Sequence, residues 1–120
     1  MSHLIDVVSK FMGDTTVEVE IHEYFEKDLP SYIVELLTFS SYDEIVAMLD
    51  YIEERYPFET PVWLVNLTYR LACLLAPNDA DIKRRAAGYL LCVGPDWDEI
   101  AENLYKEADE IEAAAGTEDV

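Results

Sequence analysis

A mostly α-helical fold, either a small helical bundle or stacked helical hairpins, is predicted by three features of the sequence. Apolar residues recur at three- and four-residue spacing along most of the chain. Helix-start signatures stand before those stripes: Ser41-Tyr42-Asp43-Glu44, Thr60-Pro61 and Asp96-Trp97-Asp98-Glu99. The one stretch with two-residue alternation sets Val17, Val19 and Ile21 against Glu18, Glu20 and His22, and it has no good second strand to pair with. The alternative is an α+β fold with one N-terminal strand at about residues 15–25.

Ser2 to Met12 reads as a short helix with Leu4, Val7, Val8 and Phe11 on one face and Gly13 as its stop. Residues 15–25 fit two templates. The alternation suggests a half-buried strand, while Val17, Ile21, Tyr24, Phe25 and Leu29 fit a helical stripe, and the balance tips to helix. Pro30 to Thr38 is predicted helical, apolar at Ile33, Val34, Leu36 and Leu37. The helix after Ser41 has Tyr42, Ile45, Val46, Leu49, Ile52 and Tyr56 on its apolar face, with Asp43, Asp50 and Glu54 outside. Pro57 ends it. Thr60 and Pro61 open the next helix, Val62 to Ala76, which is apolar on most sides and therefore expected to be central. Asn78 or Asp79 caps Ala80 to Val93. Gly94-Pro95 breaks the chain again, and the last helix buries Trp97, Ile100, Leu104, Ala108 and Ile111. Glu102 and Lys106 stand four apart, as an ion pair would.

Tyr42-Asp43-Glu44-Ile45-Val46 is echoed by Trp97-Asp98-Glu99-Ile100-Ala101. Either the two share only the grammar of a helix start, or they open two related hairpins. The length, 120 residues, suits one domain, residues 1–120, with a frayed tail at 116–120. No apolar run approaches the roughly 20 residues of a membrane span, and the N-terminus shows no signal-peptide pattern, so a cytoplasmic protein is expected. Cys73 and Cys92 sit in apolar stretches and read as two buried free thiols.

Charge is the strongest signal. Twenty-six acids oppose eight bases, a net charge of −18. Residues 1–60 hold 14 acids and 3 bases, residues 61–95 hold 2 and 4, and residues 96–120 hold 10 and 1. A nearly neutral, apolar middle thus separates two acidic ends. Self-repulsion at this level opposes the compact state. Anionic membranes and nucleic acids are repelled by such a chain, whereas a basic protein is drawn to it.

No reaction is named by any motif. There is no phosphate-cradling Gly loop, nucleophile elbow or zinc-hydrolase signature, and carboxylates are too many for one acid/base pair to stand out. No enzyme activity, no cofactor and no metal site is expected. His22 beside Glu20, Glu23 and Glu26 is the weak metal candidate, and Lys83-Arg84-Arg85 the weak nucleic-acid candidate; the latter are better read as partners for the protein's own acids.

The expected function is therefore a non-enzymatic acidic binding protein that inhibits a basic, nucleic-acid-binding partner, either a nucleic-acid enzyme or a toxin. It takes the form of an immunity protein or of a phage-type DNA mimic acting on a restriction, CRISPR or other DNA-binding enzyme. Neither direct nucleic-acid contact nor membrane contact is expected, and a homodimer is left open. The partner-binding candidates are Glu18, Glu20, Glu23, Asp43, Asp50, Glu54, Asp98, Glu99, Glu102 and Asp109, with Tyr51 and Tyr105 as exposed anchors. Two alternatives stand beside this. One is a small acidic chaperone for a secreted or assembling protein, with an apolar groove around Trp63 and Tyr69. The other is a salt-adapted structural domain.

Overall fold

The computed structural model describes residues 3–118, with side chains described through Ala115. Among the described residues there are seven α-helices, one 3-10 turn and no strand, so the chain is mostly α-helical. It divides into two compact units, Met1–Pro61 and Val62–Val120.

In the first unit α1 (His3–Phe11) packs on α3 (Leu29–Phe39) and α4 (Tyr42–Arg55), and the short α2 (Glu23–Glu26) packs on α3. The i, i+3, i+4 spacing of α1 places Leu4, Val7 and Val8 in the core. Ile33 and Leu37 meet them from α3, and Ile45, Met48, Leu49 and Ile52 from α4. Each such side chain, fully buried, contributes roughly 1.5–3 kcal/mol. Ser9 is buried on the same face because its hydroxyl is satisfied twice: it donates to the Ile5 carbonyl at 2.8 Å and pairs with the Tyr51 hydroxyl at 2.6 Å.

The ends of these helices follow from their cap residues. Gly13 takes φ +95°, and the Gly13 and Asp14 N–H groups donate to the Lys10 and Ser9 carbonyls, the two bonds of a Schellman stop. Asp28 caps α3, its carboxylate accepting from the Ser31 N–H at 3.2 Å. Ser41 and Glu44 form the expected reciprocal capping box on α4.

Residues 17–22 are neither strand nor helix, which corrects the helical reading of this stretch as well as its strand alternative. Burial nevertheless alternates here: Val17, Val19 and Ile21 are half-buried, while Glu18, Glu20 and His22 are exposed. The alternation was a true signal of a two-faced segment, but without a partner strand no ladder forms. Helix resumes only at Glu23, where His22 Nδ1 accepts the Tyr24 N–H at 3.1 Å.

In the second unit α5 (Val62–Leu75) packs on α6 (Ala80–Cys92), and α6 packs closely on α7 (Asp98–Glu118). Asp79, rather than Asn78, caps α6, accepting from the Ile82 N–H at 3.2 Å. Thr60 does not cap α5: its hydroxyl donates back to the Tyr56 carbonyl at 3.3 Å, and α5 begins at Val62. Nor is α5 apolar-buried all round. Leu64, Val65, Thr68, Tyr69, Ala72 and Cys73 make one buried stripe, while Trp63 and Leu74 lie off it and are exposed, as is Leu75 at the very end of the helix.

The start of α7 also differs from expectation. Pro95–Trp97 forms a 3-10 turn after Gly94, which adopts φ +124°, and no side chain caps it. The buried face of α7 is rotated from the predicted one. Leu104 and Ala108 turn inward as predicted, joined by Ala101 and Tyr105, whereas Trp97 and Ile100, also predicted to be buried, are exposed. Small side chains on that face, opposite Ala87 on α6, let the two helices approach closely. The two echoed stretches differ in structure: the first opens on a capping box with Ile45 wholly buried, whereas the second has no side-chain cap and Ile100 is 47% exposed. The tail expected to fray from Gly116 falls partly outside the described residues; α7 itself runs to Glu118.

Candidate functional site

All ten acidic candidates are exposed. They fall into separate groups, six in the first unit and four in the second. On α4, Asp43, Asp50 and Glu54 are spaced i, i+7, i+11. At about 100° per residue they lie within roughly 40° of one another around the helix and span about 16 Å. The row exists because Ile45, Met48, Leu49 and Ile52 take the opposite face into the core. Glu18 and Glu20 project from the irregular segment as the outward half of its alternation, and Glu23 opens α2. Glu18 also borders a shallow depression with Asp6, Asp14 and Arg55. There Asp14 accepts from both the Thr16 hydroxyl, at 2.6 Å, and the Thr16 N–H, at 2.9 Å. Those bonds hold its carboxyl below its ordinary pKa, the hydroxyl contributing most.

On α7 the acids divide. Asp98, Glu99 and Glu102 make no ion pair among the described residues, and Glu102 is not paired with Lys106 as expected. Further along, α6 supplies the counter-charges. Lys83 lies 3.5 Å from Glu107, and Arg84 forks across two carboxylates, reaching Asp109 at 2.7 Å and Glu112 at 2.6 Å. Arg85 stands 5.9 Å above the Tyr69 ring centroid. The Lys83-Arg84-Arg85 cluster is thus engaged by the protein's own residues, as expected, and Asp109 is tied to it rather than turned outward alone.

The aromatic anchors need a larger correction. Tyr51 is held by Ser9 and packs edge-on with Tyr56, and Tyr105 packs on the Ala87–Leu90–Ala101 core. The exposed aromatics of the first unit are instead Phe58 (90%), Phe39 (88%) and Tyr24 (77%). Phe58 is unusual in a second way: it holds φ +61°, the left-handed region that costs a non-glycine residue about 1–2 kcal/mol. Glu59 follows it, and Glu53 and Glu54 end the helix before it. Sequence reasoning passed over Phe39 and Phe58 because neither belongs to an apolar stripe. The only available cue was position, each standing at or beyond a helix end.

The second unit also holds an apolar cleft of about 350 Å³ among α5, α6 and the start of α7. Tyr69 lines it, but Trp63, which the chaperone alternative paired with Tyr69, does not. Elsewhere, no group of three or more His, Cys, Asp or Glu side chains among the described residues could hold a metal ion. His22 serves as the α2 cap. Both cysteines are free thiols, Cys73 buried as expected but Cys92 exposed, because it ends α6 away from that helix's buried face. No described helix is long and apolar enough to cross a membrane.

No protein-family model, no curated protein and no solved structure matches this chain.

Proposed function

We propose that this is a non-enzymatic acidic binding protein that inhibits a basic, nucleic-acid-binding partner, in the manner of an immunity protein or a DNA mimic. The observation that carries the reading is the partition of charge. The three clustered bases of α6 are engaged within the second unit, while Glu18, Glu20, Glu23, Asp43 and Glu54 in the first unit and Asp98, Glu99 and Glu102 in the second face outward. Asp50 shares the outward row on α4. Such a surface attracts a cationic cleft and accelerates encounter with it. The exposed rings of Phe39 and Phe58 supply what charge alone lacks, rigid apolar anchors of the kind that dominate binding energy. A cytoplasmic setting suits a partner that acts on nucleic acid.

Capture of the tagged protein's partner from native lysate, washed at rising salt, tests this. A basic nucleic-acid enzyme should be retained at low salt and released above physiological ionic strength, where the screening length falls below about 8 Å. The triple variant Asp43→Lys, Asp50→Lys, Glu54→Lys should lose that partner chiefly through a slower association rate. A partner retained at high salt, or equal capture by the variant, would overturn the reading in favour of the acidic chaperone or the salt-adapted domain.

A further inference from the structure

The cleft of the second unit differs in character from the rest of the surface. The chain carries 26 acids, yet no carboxylate lines this cleft. Its walls are Cys73 from α5, Ala86 and Leu90 from α6, and Ile100 and Leu104 from α7, with the rings of Tyr69 and Trp97 beside them. Burial pushes the Cys73 thiol above its ordinary pKa, which marks that part of the wall as poorly hydrated. Ile100 and Trp97 remain partly exposed, so apolar surface is left uncovered there.

One charged residue lines the cleft. Arg70 stands one helical turn beyond Asn66 on α5, and both contribute to the lining. Unlike Lys83 and Arg84, Arg70 has no ion-pair partner among the described residues. An unpaired guanidinium beside an apolar hollow matches a ligand with one carboxylate and an apolar body, because its planar fork donates two parallel hydrogen bonds to such a group. Volume narrows the choice. About 350 Å³ lies at the lower end of the roughly 300–1,000 Å³ range of small-molecule sites. Two turns of a helix about 10 Å across would fill roughly 850 Å³.

We infer that this cleft is a binding site for a small anionic amphiphile, a carboxylate-headed apolar chain whose head is held by Arg70 and Asn66 and whose body lies against Cys73, Leu90 and Ile100. The inference does not rest on the proposed function.

The test uses the intact protein and three probes matched in chain length: decanoate, decanol and decyltrimethylammonium, each below its micellar concentration. Titration calorimetry gives affinity, and amide chemical shifts give location. Decanoate should bind saturably at one site, about tenfold more tightly than decanol, with decyltrimethylammonium weakest. Shifts should centre on residues 66–73, 86–90 and 97–104. Arg70→Gln should bring decanoate down to the affinity of decanol and leave decanol unchanged. Arg70→Glu should invert the preference toward the cation, and Ile100→Trp should abolish binding of all three by filling the cleft. Arg70 is exposed, so its variants should keep the wild-type melting temperature. Equal affinity for the three probes, an Arg70→Gln variant that binds decanoate normally, or shifts spread beyond the cleft would overturn the inference. Shifts at the same amides caused by a peptide of the captured partner, with none from decanoate, would overturn it too and make the cleft a protein-docking groove.

Discussion

Replacing Arg84 by Gln tests how the protein divides its acids between internal pairing and an outward face. The guanidinium reaches Asp109 at 2.7 Å and Glu112 at 2.6 Å, joining α6 to α7. The partner side chains are 74% and 59% exposed, and that of Arg84 is 31% exposed. If the cluster were buried, stranding two carboxylates would cost about 3–5 kcal/mol. At this exposure water rehydrates both, and each pair is of the surface class, worth about 0.2–1 kcal/mol. Two pairs sharing one guanidinium therefore give a loss of about 1 kcal/mol. Both tryptophans, Trp63 and Trp97, belong to the second unit, so urea unfolding followed by their fluorescence reports on the unit that contains the clamp. The difference between wild type and variant should shrink to near zero in 1 M NaCl, where the Debye length is about 3 Å. A cycle combining Arg84→Gln with Asp109→Asn and Glu112→Gln should assign most of the loss to coupling among these three groups. A loss above 3 kcal/mol, or one that persists in 1 M salt, would refute the reasoning and make Arg84 a packing element of the α6–α7 contact.

Ser41→Ala removes the hydroxyl that accepts the Glu44 N–H, the side-chain half of the α4 capping box, and should lower the stability of the first unit by about 1 kcal/mol, whereas Ser41→Gly should cost only a few tenths, both read by denaturant unfolding. Phe58→Gly relieves a left-handed strain of about 1–2 kcal/mol at the expense of about 0.5–1 kcal/mol of backbone entropy. It should leave stability unchanged or slightly raised while weakening partner capture; a clear loss of stability would show that Phe58 packs. Thiol labelling of the native protein should modify Cys92 promptly and Cys73 far more slowly, since Cys73 is buried and burial raises its pKa. Burial likewise raises Tyr56 and Tyr89 above their ordinary value of 10.0, and Cys73 above 9.0. Each favours the protonated native form, so its contribution is full below the unfolded value and lost as pH rises through the folded one. Stability at pH 7 should therefore exceed stability at pH 11, and equal values would refute the assignment.

Most of the helix ends were legible in the sequence because they depend on local chemistry. Ser41 with Glu44, Asp79, and Gly13 each satisfy backbone groups within a few residues, and no distant contact is needed to place them. Faces were harder. On α7 Leu104 and Ala108 turn inward as expected, but the large residues Trp97 and Ile100 drew the apolar stripe toward themselves, and the close approach of α6 selects Ala101 in their place. Size suggests what would gain most from burial, whereas a tight helix pair buries what fits. The same error hid the cleft, whose walls are the residues that the rotated face leaves uncovered. Residues 15–25 were ambiguous for a different reason: the alternation set their exposure correctly, but a strand also needs a neighbour, which no local pattern reports. The acidic candidates were the easiest to place outside, since a lone carboxylate is costly to bury, yet sequence spacing did not reveal that Asp109 is tied to Arg84.

The structure sharpens what the acidic rows can do on the proposed reading. Duplex DNA carries about one charge per 1.7 Å of axis, or roughly nine over the 16 Å length of the α4 row. Asp43, Asp50 and Glu54 provide three. A single helix face is thus too sparse to replace a duplex by charge density alone, and imitation of DNA would require Glu18, Glu20 and Glu23 to act together with it on the partner. Phe39 and Phe58, exposed in the same unit, point to a more selective kind of binding. No phosphate backbone presents an exposed benzyl ring, so a partner that binds through these rings must offer apolar pockets beside its cationic cleft. Charge would then govern how fast the two proteins meet, and the rings which protein is kept. That division of labour favours a plug shaped to one basic enzyme over a general decoy for DNA-binding proteins.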